Sequence, residues 1–203
     1  MLEVAAMDKI LIATKNAGKA REFARLFAPK QIEVMTLLDL EDVPPIEENG
    51  QTFTENALIK AQTISNYLHI PVLADDSGLV VDALDGEPGI YSARYAGDHD
   101  DAANNRKLLN KLADVAPADR TAHFHCSIVV VQEGKEPLIA TGDAYGQILT
   151  APRGKDGFGY DPLFYYPAKD KTFAEMTASE KNTVSHRGLA LQKLLQDFDQ
   201  WWQ

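Results

Sequence analysis

Two consecutive aspartates, Asp75 and Asp76, follow a short apolar run and precede Ser77 and Gly78. Carboxylates at the C-terminal end of a buried strand emerge where α/β sheets collect their ligands. Successive strand residues face opposite sides, so one of the two aspartates is expected to enter a site. A hard cation such as Mg²⁺ takes one or two carboxylates and completes its shell with phosphate oxygens and water. The acidic loop around Glu47 and Glu48 contains a second carboxylate for it. The same aspartates would also suit a charged turn in which one of them caps nearby amides.

A loop of different chemistry, Thr14-Lys15-Asn16-Ala17-Gly18-Lys19, lies between an apolar run and an amphipathic stretch. A strand-to-helix junction aims backbone N–H groups and a helix N-terminus at an anion, and the two lysines add charge. It is not a Walker loop: Ala13 stands where the leading glycine belongs, and Ala20 replaces the Ser/Thr after the lysine. An ordinary polar loop with solvated lysines is the competing account.

Further along, residues 154–162 read GKDGFGYDP. Three glycines let a ligand approach the backbone closely, and Phe158 and Tyr160 offer flat faces for a base. The alternative is a glycine-rich turn whose aromatics fill the core. Lys181, His186 and Arg187 form a basic group before the last helix. On one continuous helix Lys181 and Arg187 would lie on different sides, so a shared site requires a break between them. His123 and His125 share a strand face at a spacing some zinc sites use, but no third ligand is evident nearby. His69 and His99 read as surface residues.

The elements that must position these groups follow from periodicity. Residues 10–13 read as a strand, followed by a helix with Phe23, Leu26 and Phe27 on one face. A second strand is expected at 32–35. Thr52-Phe53-Thr54-Glu55 fits a capping box that opens a helix reaching about His69. A strand at 72–74 runs into the aspartates, and Leu79, Val81 and Leu84 suggest a further strand before the turn at 85–89. Residues 100–115 look helical. Residues 122–131 and 138–149 flank Glu133-Gly134-Lys135-Glu136-Pro137 as a long hairpin, and a helix carrying Leu191, Leu194, Leu195, Phe198 and Trp202 closes the chain. Alternating strands and helices followed by a hairpin predict an α/β protein with a mixed sheet and flanking helices.

At 203 residues, with no repeat, linker or low-complexity block, the expectation is a single domain over 1–203. Met7 is an alternative start, which would leave residues 1–6 as a disordered leader. A formal charge of −10 argues against neutralising a nucleic-acid backbone, while a small anion remains compatible with a local basic cluster or a metal. No stretch approaches the roughly 20 apolar residues of a membrane span. The single cysteine, Cys126, forbids an intrachain disulfide and fits a reducing compartment, so a cytoplasmic location is expected.

Taken together and in order, the stretches ATKNAGK, FTENALIKA, LADDSGLVVDALDGEPGIYSARYAG, GKDGFGYDPLF, FAEM and EKNTVSHRGLAL resemble the inosine triphosphate pyrophosphatase family, which acts on non-standard purine nucleoside triphosphates. The resemblance spans about residues 10 to 195. It implies an elongated mixed sheet with flanking helices, two lobes around a central nucleotide-binding cleft, and a homodimer. It implies hydrolysis of ITP, dITP and XTP to the monophosphate and pyrophosphate, which keeps these nucleotides out of DNA and RNA. Thr14, Lys15, Asn16, Ala17, Gly18 and Lys19 would hold the triphosphate, with Lys60 reaching it from the second helix. Glu48 and Asp76 would bind Mg²⁺, Asp76 would also be the general base, and Ser77 would contact substrate. Phe158, Gly159, Tyr160 and Asp161 would cover base and sugar; Lys181, His186 and Arg187 would read the purine. Glu48 is preferred to Glu47 for its spacing to Lys60.

The chemistry implied is attack of an activated water on the α-phosphorus, with metal and lysines offsetting charge on the departing pyrophosphate. Ser77 has no evident base to make it a nucleophile. Backbone N–H groups around Ser185 and His186 would oppose guanine's amine and donate to xanthine's two-oxo group. One competitor is a related pyrophosphatase for modified pyrimidine nucleotides, as in septum-inhibitor-like proteins. Another is a non-catalytic nucleotide sensor, against which the acidic pair Glu48 and Asp76 speaks.

Overall fold

Residues 8–97 and 100–203 are described by the computed structural model. The expected leader 1–6 and His99 lie outside the described residues. Seven strands run β1 (Lys9–Ile12), β2 (Glu33–Thr36), β3 (Val72–Val81), β4 (Thr121–Val131), β5 (Leu138–Ile148), β6 (Phe164–Tyr166) and β7 (Lys171–Thr172). They form one mixed sheet in the order β2-β1-β3-β4-β5-β6-β7. β1 pairs in parallel with β2 and with β3, whereas β5–β6 and β6–β7 are antiparallel. The helices are α1 (Ala17–Phe27), α2 (Phe53–Leu68), α3 (Asp101–Lys111), α4 (Ala178–Val184) and α5 (His186–Trp202). The chain divides into two compact units, one running to Asp75 and including Ile128–Ile139, the other comprising Asp76–Ser127 and Ala140–Gln203.

In the first unit β1 lies between two parallel neighbours, so Ile10, Leu11 and Ile12 are all fully buried and the strand reads as an unbroken apolar run. α2 presents Ala57, Ala61 and Ile64, at helical spacing, to a cluster with Leu11, Val72, Ala74 and Val129. Burying Ile64 alone contributes roughly 1.5–3 kcal/mol. Thr52 caps α2 by accepting from Glu55 N–H at 3.1 Å. The reciprocal half of the expected capping box is displaced by one residue, because the Glu55 carboxylate accepts from Gln51 N–H at 2.6 Å. His69, in the left-handed conformation, closes the helix.

The second unit is built on aromatics. Phe124, Phe164 and Phe173 pack with ring centroids 4.8 to 5.7 Å apart, and Leu79, Val81, Leu108 and Tyr160 complete the cluster. α3 is capped by Asp100, which accepts from Ala103 N–H at 2.8 Å, and it ends sooner than the 100–115 reading.

One expectation is corrected outright. Residues 72–84 are not two strands with the aspartates between them: β3 is continuous through Val81, and Leu84 belongs to a short 3₁₀ turn. Asp-Asp-Ser-Gly has the composition of a turn, but these residues stay extended where lysine partners receive Asp75.

Candidate active site

In the first unit the loop after β1 is organised by its own side chains. Thr14 Oγ1 accepts from Asn16 N–H at 3.1 Å, and Asn16 Oδ1 accepts from Gly18 N–H at 2.8 Å and Lys19 N–H at 3.1 Å. Asn16 is thus the N-cap of α1. The picture of open helix-end amides is corrected here, since the Gly18 and Lys19 N–H groups are taken by the cap. Charge is carried instead by side chains. Lys15 is exposed, whereas Lys19 Nζ lies 2.6 Å from Oδ2 of the buried Asp75.

Lys60 is positioned by α2, three residues along from the buried Ala57, so it projects beside the apolar stripe. Its Nζ donates to the Asp75 carbonyl at 3.1 Å and lies 3.2 Å from Glu48 Oε1. Glu47, by contrast, is exposed. Thr14, Lys19, Lys60, Glu48 and Asp75 therefore belong to one unit that combines two ammonium groups with two carboxylates.

The second unit begins at Asp76. Asp76 and Ser77 are half-buried on β3, and the Asp76 Oδ2 atom is shielded from solvent. The glycine-rich loop is braced by Asp161, only 2% exposed, whose Oδ2 accepts from Phe158 N–H at 2.9 Å and from Lys181 Nζ. Gly157 has φ 81°, and a Cβ there would sit 2.1 Å from Asp161 Oδ2. Only glycine leaves room for that carboxylate.

The two loop aromatics part company. Phe158 is 57% exposed with Lys181 Nζ 4.9 Å from its ring centre, while Tyr160 is 4% exposed and its hydroxyl donates to Ser92 O at 2.9 Å. The reading of Tyr160 as a face for a base is therefore corrected. Its ring belongs to the core, and burial pushes its phenol well above the usual value.

The break that Lys181 and Arg187 require is present. α4 ends at Val184, and Ser185 adopts extended backbone (φ −74°, ψ 153°) before α5 begins at His186. Gly188 permits the tight junction, since a Cβ there would meet Asn182 O at 1.9 Å. Ser185 Oγ accepts from Gly188 N–H at 3.2 Å, and Ser185 N–H donates to Lys181 O at 2.7 Å. That second bond corrects the idea of Ser185 N–H as a donor to the base. His186 is buried and stacked on Phe124 at 4.8 Å and 14°, which fixes its ring. Arg187 is half-buried in the first turn of α5.

The model of the Ham1 family matches residues 10–197. The chain belongs to the Ham1 family. It is 53% identical over 193 residues to a dITP/XTP pyrophosphatase of Lactiplantibacillus plantarum, covering 95% of this chain and 96% of that one. It is also 53% identical over 198 residues to a dITP/XTP pyrophosphatase of Geobacillus kaustophilus, covering 97% and 95% respectively. Its fold resembles the solved structure of the Staphylococcus aureus Ham1 protein with a TM-score of 0.89 at 43% identity, over 97% of this chain and 100% of that chain.

Within this Ham1 chain, sequence reasoning missed the partner of Asp75 and passed over two residues of α3. Asp75 serves as the acceptor for Lys19, and Asp101 and Asn105 on α3 bond the glycine-rich loop. Asp75 was visible as one of an adjacent pair. The α3 pair carried no local signal beyond two polar residues at i and i+4. The pair His123 and His125 has other partners: the His123 ring packs tilted against Tyr145, and His125 bonds Asp143 and Ser127. Among the described residues no group of three or more His, Cys, Asp or Glu is placed to hold a metal.

Proposed function

We propose that this Ham1-family chain hydrolyses non-standard purine nucleoside triphosphates, dITP, XTP and ITP, to the monophosphate and pyrophosphate. The observation that carries the reading is the set around Asp75, in which Lys19 and Lys60 converge on one residue and Lys60 also meets Glu48. A binding site for a polyphosphate needs cations that are held in place, and a metal partner needs a carboxylate beside them. The names borne by relatives at 53% identity support the same substrate class.

The donor set suits Mg²⁺. Glu48 and Asp76 are hard oxygen donors, and since no group of three or more His, Cys, Asp or Glu is placed to hold a metal among the described residues, the ion would rely on phosphate oxygens and water, as Mg²⁺ commonly does. When bound, it would neutralise phosphate charge and make the attacking water more acidic. Lys19 and Lys60 hold the distal phosphates as one leaving group. Asp76 accepts a proton from water as the water oxygen attacks the α-phosphorus. The bond from that phosphorus to the bridging oxygen breaks, and pyrophosphate leaves with the electron pair. Phe158 stacks on the base, and Lys181, His186 and Arg187 read its edge.

The whole chain acts as one functional domain, as a homodimer in the cytoplasm. Its resemblance to the family supports the dimer. A buried sole cysteine supports a reducing compartment, and among the described residues no helix is long and apolar enough to cross a membrane. Incubating the purified protein and Mg²⁺ with ITP, dITP, XTP, GTP, ATP and modified pyrimidine triphosphates, with products separated by ion exchange, tests the reading. Inosine and xanthine substrates should dominate; preference for a pyrimidine would transfer the chain to the competing class.

A further inference from the structure

The loop that carries Phe158 is held from outside by α3. Gly159 N–H donates to Asp101 Oδ2 at 2.6 Å, and Gly159 O accepts from Asn105 Nδ2 at 2.8 Å. One residue of the loop thus has both its backbone groups tied to two side chains one helical turn apart, a spacing that places them on the same face. The helix itself is anchored beneath: Asn104 is 2% exposed, and its side chain accepts from Ala96 N–H and Gly97 N–H and donates to Ala93 O.

The Asn105 amide is oriented by its two donations, to Gly159 O and to Asp101 O, both at 2.8 Å. Its Oδ1 is buried with no hydrogen-bond partner among the described residues. A buried acceptor without a partner is destabilising. An apolar side chain would avoid that penalty but could make neither donation, so what the amide contributes here is its two donors. Gly159 itself has φ 61°, and a Cβ there would meet nothing within 4 Å. Nothing packs against the position a Cβ would take, and the two α3 bonds tie the residue's backbone.

We infer that Asp101 and Asn105 are positioning residues that fix the Phe158 ring for stacking on a purine, acting through Gly159 without touching the ligand. The inference rests on the proposed role of Phe158 as base platform but not on hydrolysis. A ring 57% exposed would otherwise sample many orientations, and each would add to the entropy lost on binding.

The test uses the full-length protein with Asp101→Ala, Asn105→Ala and the conservative Asp101→Asn, whose amide oxygen can still accept from Gly159. Two readouts are taken: amide hydrogen exchange of the peptide containing residues 157–161, and calorimetric binding of inosine monophosphate against inorganic pyrophosphate. Both alanine variants should keep the wild-type circular dichroism spectrum and exchange the loop amides about tenfold faster, the equivalent of one hydrogen bond. They should bind inosine monophosphate about tenfold more weakly and pyrophosphate as wild type. Asp101→Asn should restore most of both. Unchanged exchange would overturn the clamp, and a loosened loop with unchanged inosine monophosphate affinity would overturn its role in base binding. Should the wild type hydrolyse no triphosphate, the proposed activity fails while these readouts still decide the clamp.

Discussion

Lys19 Nζ lies 2.6 Å from Oδ2 of Asp75, a carboxylate whose side chain is only 3% exposed. Lys19, proposed to hold phosphate, is thereby fixed to β3 one residue before the proposed base. Asp75 and Asp76 should therefore respond differently to the same change. Asp76→Asn should lower kcat by roughly 10²-fold or more with little effect on Tm, as expected for loss of a general base. Asp75→Asn should instead lower Tm, by the equivalent of about 1–3 kcal/mol, and raise KM, because Lys19 loses its anchor. Thermal melts and steady-state kinetics separate the two. Near-normal turnover in Asp76→Asn would shift the base to Asp75.

Glycine replacements in the loop should diverge as well. Gly157→Ala drives a methyl group into the carboxylate that braces Phe158 and Lys181, whereas Gly159→Ala meets open space and only strains a positive φ. The second change should cost about 1 kcal/mol. The first should cost more and weaken nucleotide binding. Equal Tm shifts would contradict this account of Asp161.

Acid should loosen the segment that carries Lys181. The Glu175 carboxyl is lowered to about 2, first by the Arg153 guanidinium and then by the Thr172 amide. Glu180 is lowered to about 2, first by Lys171 and then by the Thr177 amide. A carboxyl depressed on folding contributes stability that is complete above its ordinary value of 4.5 and is lost as pH falls toward 2. Glu180→Gln should therefore reduce Tm at pH 7 and flatten the acid limb below about pH 4.5. Parallel Tm–pH curves for variant and wild type would show that this carboxylate is not among the acid-sensitive groups.

Local patterns were legible in the sequence and remote ones were not. The strand-loop-helix of residues 10–27 could be read because its cap, Asn16, and its buried face, Phe23 and Phe27, lie within a few turns of each other. The break at Ser185 was identifiable as a requirement, since helical geometry alone kept Lys181 from Arg187. Turn composition hid the extended conformation of residues 75–78, because the lysine that receives Asp75 is 56 residues away. The α3 clamp spans 54 and 58 residues to Gly159, and no periodicity encodes such a pairing. Tyr160 and Phe158 are equivalent by type and differ only in which side of the loop meets the core.

Base choice gives a further test. Hypoxanthine and xanthine present a carbonyl acceptor at the six-position, where adenine presents an amino donor. A guanidinium can only donate, so Arg187 suits the first pattern. Sites built to bond a substrate group can reject an analogue by roughly 10⁴-fold. Arg187→Ala should narrow the inosine-over-adenosine ratio in kcat/KM far more than the inosine-over-guanosine ratio. Equal losses on all three would mean that Arg187 holds phosphate or structure.

The central claim is the position of bond cleavage, and isotope incorporation reads it most directly. Lys19 and Lys60 are assigned to the distal phosphates and Asp76 to the water that attacks the α-phosphorus. Hydrolysis of ITP with Mg²⁺ in ¹⁸O-water, followed by mass spectrometry of both products, should place one labelled oxygen in inosine monophosphate and none in pyrophosphate. Label in pyrophosphate, or inosine diphosphate with labelled phosphate as the first products, would contradict the account.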